Sequence, residues 1–437
     1  MVNSQFTLRD IVIVNEGRQF VGSVCVEDGR ISRIEEHAGA KAADEALFLL
    51  PGVIDEHVHF RDPGMTAKAD IATESRAAAA GGVTTYFDMP NCVPQTTTLE
   101  AWEAKMERAA AVSAVNYAFH FGATNANAAL FPHLDASRIP ALKVFMGSST
   151  GGMLVEREET LRRIFAESPL PVMTHCEDTA TIARNMAACK ERYGEDPAVS
   201  LHPLIRSREA CIASSSLAAR LAEAYGTRLL IAHVTTAEEL ELLRSPHVYG
   251  EACLPHLLFT DADYAALGTR IKCNPAVKTA RDREALRQAL ADGRIYTVAT
   301  DHAPHLLADK QGGAARAASG MPLVQFSLPA MLELVDAGVL TLPRLVELMC
   351  HHPARFFAVE RRGFLREGYK ADFVLVRAGV PWTLTSQDVL SRCGWSPLEG
   401  RRFGWRVEQT YCNGRLVYSH DQGVAPDARG EAVTFDR

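Results

Sequence analysis

Gly52-Val-Ile-Asp-Glu-His-Val-His-Phe-Arg-Asp-Pro-Gly64 sets the reading of the whole chain. A short apolar run leads into His57-Val58-His59. A strand turns successive side chains to opposite faces, so the two imidazoles share one side and Val58 takes the other. Pro63-Gly64 stops the strand and leaves the pair at its C-terminal end. Two neutral imidazoles on one rigid strand are half a site for zinc or a related cation. Alone, such a pair is more often surface or packing. Its weight depends on ligands at the ends of other strands.

Outward from that strand, β-type runs and helix formers alternate from about residue 51 to 355. Ala69 to Ala80 reads as a helix closed by Gly81-Gly82, followed by a strand from Val83 to Met89. Thr97 or Thr98 can cap a helix through Leu99 to Ala111. Further strands are expected at Val115 to Phe121, Ala141 to Phe145, Pro171 to His175, Arg228 to His233, Val248 to Ala252 and Ile295 to Thr300. Leu161 to Glu167, Arg208 to Tyr225 and Glu238 to Arg244 read as helices between them. The fold class is therefore α/β. Eight such strands favour a closed (β/α)8 TIM-like barrel over a doubly wound sheet, for which no Gly-x-Gly-x-x-Gly turn is present.

The two ends read differently. Val21 to Val26 meets Ile31 to Ile34 across Asp28-Gly29, and Arg406 to Tyr411 meets Arg415 to Tyr418 across Asn413-Gly414. Both are hairpin signals. The expected division is residues 1–50 plus 356–437 as a small composite β-sandwich domain and 51–355 as a metal-dependent barrel. Gln311 to Gly320 reads as a mobile loop.

Composition narrows the function. The 437 residues suffice for one large core and a satellite, and a formal net charge of −7 argues against a nucleic-acid partner. Ten scattered cysteines without a Cys-x-x-Cys pair fit reduced thiols. Met1-Val-Asn-Ser-Gln-Phe6 has no signal-like run, and no stretch is long and apolar enough for a membrane helix. A cytoplasmic protein without a membrane partner is expected.

Chemistry gathers at the strand ends, where a barrel carries its active site. The first strand ends in His57 and His59; later ones supply Lys143, His175, His233 and Asp301. Singly, His175 or His233 reads as a core histidine and Asp301 as a helix cap; together they favour a metal site. The pleat turns Cys176 and His302 away. An amine on the apolar strand Ala-Leu-Lys143-Val-Phe must be paired, depressed in pKa or chemically altered. A Schiff-base lysine, a structural ion pair and a carbamate formed with carbon dioxide all answer that demand. The surrounding ligands favour the carbamate, an anion able to bridge two cations. Arg61, two residues past His59, can grip a carboxylate with paired hydrogen bonds.

These residues stand in a specific pattern. Asp55 to Gly64, Gly81 to Asn91, Lys143 to Gly151, Thr174-His175, Ala232-His233, Lys272-Cys-Asn-Pro275 and Thr300 to His305 together resemble the dihydroorotase family of the amidohydrolase superfamily. His352-Pro-Ala-Arg355, Gly368 to Asp372 and Cys393-Gly-Trp-Ser-Pro397 extend the resemblance nearly to the C-terminus. It implies two divalent cations, zinc favoured. His57 and His59 with Asp301 would hold one, His175 and His233 the other, and a carbamate on Lys143 would bridge them. It implies substrate contacts from Arg61, Asn91 and His305, with Asn274, Ser319 and Gly320 further round the site. Asp301 becomes the proton shuttle. The implied reaction is reversible, metal-dependent closure of N-carbamoyl-L-aspartate to L-dihydroorotate plus water, in pyrimidine biosynthesis, by an enzyme that can form a homodimer.

Two departures bear on the substrate. Cys92 stands where relatives often carry a small hydroxyl residue, and Glu251-Ala-Cys-Leu-Pro-His256 lacks a histidine pair many relatives show. Neither is expected to touch the ligands. Allantoinase and dihydropyrimidinase are the nearest rival activities, and a non-catalytic scaffold, which would lack ligands, is the rival of another class.

Overall fold

A computed structural model of the chain describes residues 5–147 and 153–437. Ser148 to Gly151 of the Lys143 motif, and the start at Met1 to Ser4, lie outside the described residues.

A strand forms in each of the eight expected central stretches. After β1 (Phe6–Asn15), β2 (Arg18–Glu27), β3 (Arg30–Glu36) and β4 (Leu47–Pro51) come β5 (Val53–Val58) and β6 (Val83–Asp88). The third position is split at His120 into β7 (Asn116–Phe119) and β8 (Phe121–Gly122). Then follow β9 (Leu142–Phe145), β10 (Val172–His175), β11 (Leu229–Ile231), β12 (Val248–Cys253) and β13 (Ile295–Ala299). β5, β6 and β7 pair in parallel, as do β8 through β13. The ring closes just beyond β13. Val58 forms a parallel bridge with His302, His59 N–H donates to the His302 carbonyl at 2.7 Å, and Thr300 Oγ1 donates to Asp55 at 2.6 Å.

Sequence-local signals place the helices. Asp70 caps Ile71–Ala80 in a reciprocal box with Thr73, and Thr98 caps Leu99–Val112. Thr179–Tyr193 and Arg208–Tyr225 both lie between β10 and β11. The helix expected over Glu238 to Arg244 is a 3-10 segment, Glu239–Arg244. Inward residues from early in the strands, Ile54, Ala118, Met173 and Leu230, form one buried cluster with Phe356, Phe357 and Phe435. Each such phenylalanine stabilises the fold by roughly 1.5–3 kcal/mol. This apolar filling leaves the C-terminal strand ends for polar chemistry.

Both ends of the chain meet in one eight-stranded sheet. With β14 (Phe373–Thr383), β15 (Arg402–Cys412), β16 (Arg415–Ser419) and β17 (Gly423–Val424), its order is β17-β16-β15-β14-β4-β1-β2-β3. It curls enough for Phe6 of β1 to meet Tyr411 of β15 at 5.2 Å across two intervening strands. The loop from Gln311 to Gly320, expected to be mobile, is instead tied down. Asp196 accepts from the backbone N–H groups of Gly313, Ala315 and Arg316, and Lys310 donates to the carbonyls of Ala318 and Gly320. Those anchors lie far away in sequence or in a buried amine, which composition does not reveal. All ten cysteines are unpaired. Among the described residues, no helix is long and apolar enough to cross a membrane.

Candidate active site

Against β6, the register of β5 slips between Asp55 and Val58. A bulge of that kind re-aims side chains, and His57 and His59 both turn to Asp301 at the opposite edge of the closure. Asp301 Oδ1 lies 3.1 Å from His59 Nε2 and 3.4 Å from His57 Nε2. The ligand atoms of these three residues all fall within 4.8 Å of one another. Round the ring, His175 Nδ1 and His233 Nε2 stand 2.9 Å apart. Between the groups lies Lys143, fully buried, its Nζ without a hydrogen-bond partner among the described residues.

Electrostatics favour ligand-ready states. Burial lowers the pKa of the Lys143 amine, opposed by the charges of Glu251 and Asp301. Burial also brings His59 down to about 4 and pushes His233 well below its ordinary value, so both imidazoles are neutral. For Asp301, burial alone would raise the pKa; the His57 charge and the His59 hydrogen bond outweigh it and hold the carboxyl well below the usual range. Neutral imidazoles, an ionised carboxylate and an unpartnered buried amine make a donor set suited to a borderline divalent cation.

Three of the four histidines are oriented by an acceptor on the ring nitrogen facing away from the cluster. Glu251 Oε1 accepts from His57 Nδ1 at 2.7 Å and from the His233 backbone N–H at 3.0 Å. Asn91 Oδ1 accepts from His59 Nδ1 at 2.7 Å. Glu177 Oε2 accepts from His175 Nε2 at 2.9 Å, and its carboxylate pairs with Arg206. Burial would raise the pKa of Glu177, but Arg206 and His175 hold it down to about 2. Such partners fix tautomer and ring orientation. Glu251 thus touches two of the expected ligands, contrary to the sequence reading. It sits on β12, 18 residues from His233 at the end of the neighbouring strand and 194 from His57, which only barrel closure brings to it.

A second group of residues faces the same cleft. Arg61 is buried; its Nε donates to the Pro304 carbonyl, and among the described residues no carboxylate forms an ion pair with it. Its Nη2 lies 3.1 Å from His305 Nε2. The ammonium of Lys68 can only donate, so its 3.1 Å contact makes His305 Nδ1 the acceptor. The proton is then on His305 Nε2, which donates to the Ser319 carbonyl at 3.0 Å. Arg61 Nη2 and His305 Nε2 are therefore both donors, and that Arg61 nitrogen gains no acceptor from the imidazole. Burial, then the charges of Arg61 and Lys68, bring His305 down to about 2 and keep it neutral. Across the cleft, His202 Nε2 lies 3.1 Å from Asn274 Oδ1.

The cleft is lined by His57, His59, Lys143, His175, His233, Asp301, Arg61, Asn91, Asn274, Ser319 and Gly320, together with Phe145 and Ala303. His305 stands behind this lining, against Arg61 and Ser319. Asn91 spends its carbonyl oxygen on His59, so it reaches the cleft by its amide nitrogen. Sequence reasoning missed Phe145, Ala303, Lys68, Glu177 and Glu251. Strand periodicity, with Phe145 two residues from Lys143 and Glu177 two from His175, carried a signal for two of them. Three lining residues, Arg61, His233 and Asp301, have φ of 65°, 41° and 49°. Left-handed non-glycine backbone costs about 1–2 kcal/mol per residue, a strain that gathers at functional sites.

Comparison with known proteins gives one picture. Residues 48–417 match the amidohydrolase family. A dihydroorotase of Halobacterium salinarum is 36% identical over 435 residues, covering 97% of this chain and 98% of that protein. A dihydroorotase of Anaeromyxobacter dehalogenans is 32% identical over 442 residues, covering 95% and 99%. Among solved structures, the L-hydantoinase (dihydropyrimidinase) of Arthrobacter aurescens superposes with a TM-score of 0.91 at 26% identity, covering 98% of this chain and 99% of that one. The dihydropyrimidinase of Brevibacillus agri, at 0.89 and 22% identity, shares the fold.

Proposed function

The chain belongs to the amidohydrolase family as a cyclic amide hydrolase, and from that premise we propose that it is a dihydroorotase, interconverting L-dihydroorotate and N-carbamoyl-L-aspartate. The observation that carries this reading is Arg61. A guanidinium buried in the cleft without a protein counter-ion calls for an anion from outside. Dihydroorotate brings a ring carboxylate; dihydrouracil has none, although the likeness to a dihydropyrimidinase structure makes such rings the natural rivals.

In the proposed site, His57, His59 and Asp301 would hold one zinc ion and His175 and His233 a second, and a carbamate on Lys143 would serve both. Burial favours the neutral form of this amine, unpartnered among the described residues, and that is the form able to take up carbon dioxide. When bound, the cations supply an activated water and polarise the ring carbonyl. The residues do the rest. Arg61 and the Asn91 amide, with His305 packed behind Arg61, fix the carboxylate and so aim the ring amide at Asp301. Asp301 Oδ, ionised before the reaction, accepts the proton of the attacking water and returns it to the departing ring nitrogen. In the synthetic direction the same carboxylate takes a proton from the carbamoyl nitrogen. The proposal also treats residues 1–50 with 356–437 as one domain and 51–355 as the other, supported by the pairing of β14 with β4.

Metal content and turnover decide it together. Purified protein is expected to carry about two zinc ions per chain, to hydrolyse dihydroorotate, and to leave dihydrouracil and allantoin nearly untouched. Activity persisting without metal would sink the reading; preference for dihydrouracil would move it to the rival ring.

A further inference from the structure

The amine of Lys310 takes no part in that chemistry, yet it is as buried as Lys143. Lys310 ends a short 3-10 turn, Leu307–Lys310, five residues past His305. Its Nζ donates to three backbone carbonyls: Ala318 at 2.7 Å, Gly320 at 2.7 Å and Lys272 at 3.1 Å. An ammonium has three donors and no acceptor, so this one is completely spent. What it holds are two segments of the cleft wall, one leading to Asn274 and one containing Ser319 and Gly320.

We infer that Lys310 is a positioning residue that fixes the carboxylate-recognising rim of the cleft, an inference that rests on reading Arg61, His305 and Ser319 as that rim. Ser319 sits between two residues whose carbonyls Lys310 grips, and its own carbonyl receives His305 Nε2–H. His305 in turn abuts Arg61. Gly320 N–H donates to the Lys272 carbonyl at 2.8 Å, joining the two segments directly. The rim also presses tightly on the strand end. Gly320 has φ of +132°, and a Cβ there would lie 2.5 Å from the Ala303 carbonyl oxygen. Only glycine suits both that backbone and that close approach, and glycine brings the most conformational freedom for the surroundings to restrain. Lys310 supplies that restraint from within. An apolar side chain of the same length would leave the Ala318 and Gly320 carbonyls without their donor and the Lys272 carbonyl with the Gly320 N–H alone, and the rim would relax away from the substrate carboxylate while the metal half stayed intact.

The test compares Lys310→Met and Lys310→Gln with Asp196→Ala, which releases only the outer end of the same loop at residues 313–316. Lys310→Met is expected to raise KM for dihydroorotate about tenfold or more, given the cost of unsatisfied buried carbonyls, with kcat within about threefold and zinc content unchanged. Hydrogen exchange at the Gly320 amide is expected to quicken. Lys310→Gln, with donors for two of the carbonyls, is expected to fall between, and it carries the test if the methionine variant does not fold. Asp196→Ala is expected to keep the wild-type KM. A folded Lys310 variant with wild-type KM and wild-type exchange overturns the inference, as does an equal KM rise in Asp196→Ala. If the wild type ignores dihydroorotate, the substrate reading fails, and Gly320 exchange alone still decides whether Lys310 holds the rim.

Discussion

Replacing Glu251 by glutamine keeps the shape of the side chain and removes its charge, which isolates what the carboxylate does. Burial would raise the Glu251 pKa; His57, by charge and by hydrogen bond, and then Lys143 outweigh it and lower the pKa, so the group is ionised at neutral pH. A single oxygen of it serves two ligands, His57 Nδ1 at 2.7 Å and His233 N–H at 3.0 Å. Charge-assisted hydrogen bonds are about twice as strong as neutral ones, and a lost outer partner typically costs about 10–100-fold in metal affinity. The glutamine carbonyl can still accept from both donors, so a loss of about tenfold, about 1.4 kcal/mol, is expected for Glu251→Gln. Glu251→Ala, which leaves the His57 ring free to turn, is expected to approach a hundredfold loss, about 2.7 kcal/mol. The assay is zinc competition between metal-free protein and a chromogenic chelator, with circular dichroism to confirm an unchanged fold. Wild-type zinc affinity in both variants would refute the role assigned to this carboxylate.

Three further outcomes follow from the same contacts. Arg61→Met is expected to raise KM for dihydroorotate about thirtyfold or more, the cost of leaving a buried carboxylate unpaired, without change in zinc content; an unchanged KM removes Arg61 from substrate recognition. Gly320→Ala is expected to fold but lose more than about 1 kcal/mol of stability in urea melts, because its Cβ would meet the Ala303 carbonyl from a left-handed backbone. Asp282 carries the pH dependence most open to measurement. Burial would raise its pKa, but its hydrogen bonds to Arg208 and Thr279 hold it at about 2, below its ordinary 3.8. Its stabilising contribution is thus present above about pH 4 and is lost as pH falls through about 2, so Asp282→Asn should cost about 2 kcal/mol at pH 7 and little near pH 2 in urea midpoints.

What the sequence made legible had a short period or a local signal. Alternating strand and helix runs gave the barrel, and the pleat put His57 and His59 on one face and turned Cys176 and His302 away. His302 does face outward, its Nε2 2.9 Å from Glu74 and its Nδ1 accepting from the N–H groups of Leu323 and Val324. What stayed hidden depends on closure of the ring. Glu251 reaches His57 across 194 residues, and the side chain of Lys310 reaches a carbonyl 38 residues upstream. Neither separation has a periodicity to read. The loop around Gly313 looked mobile because its glycines and alanines carry no sign of Asp196, which fastens it from 117 residues away.

The cleft has an electrical direction that argues for its substrate more strongly than any one residue. At one end Asp301, Glu251 and Glu177 are all held ionised against the pull of burial around four histidines, Glu177 with Arg206 as its counter-ion. At the other end Arg61 stands buried against a neutral His305 with no ion-paired carboxylate among the described residues, while Lys68 behind it is paired with Asp309 at 3.2 Å. A neutral ring entering this field gains little from either orientation. A ring that carries a carboxylate on one side and a cyclic amide on the other gains in only one, with its charge on Arg61 and its amide toward the cluster. A carboxylate on Arg61 turns the cyclic amide toward the cluster, whereas the reversed pose leaves the buried guanidinium unpaired. Dihydroorotate has that polarity and dihydrouracil does not, which is why Arg61 and the three carboxylates have to be read together.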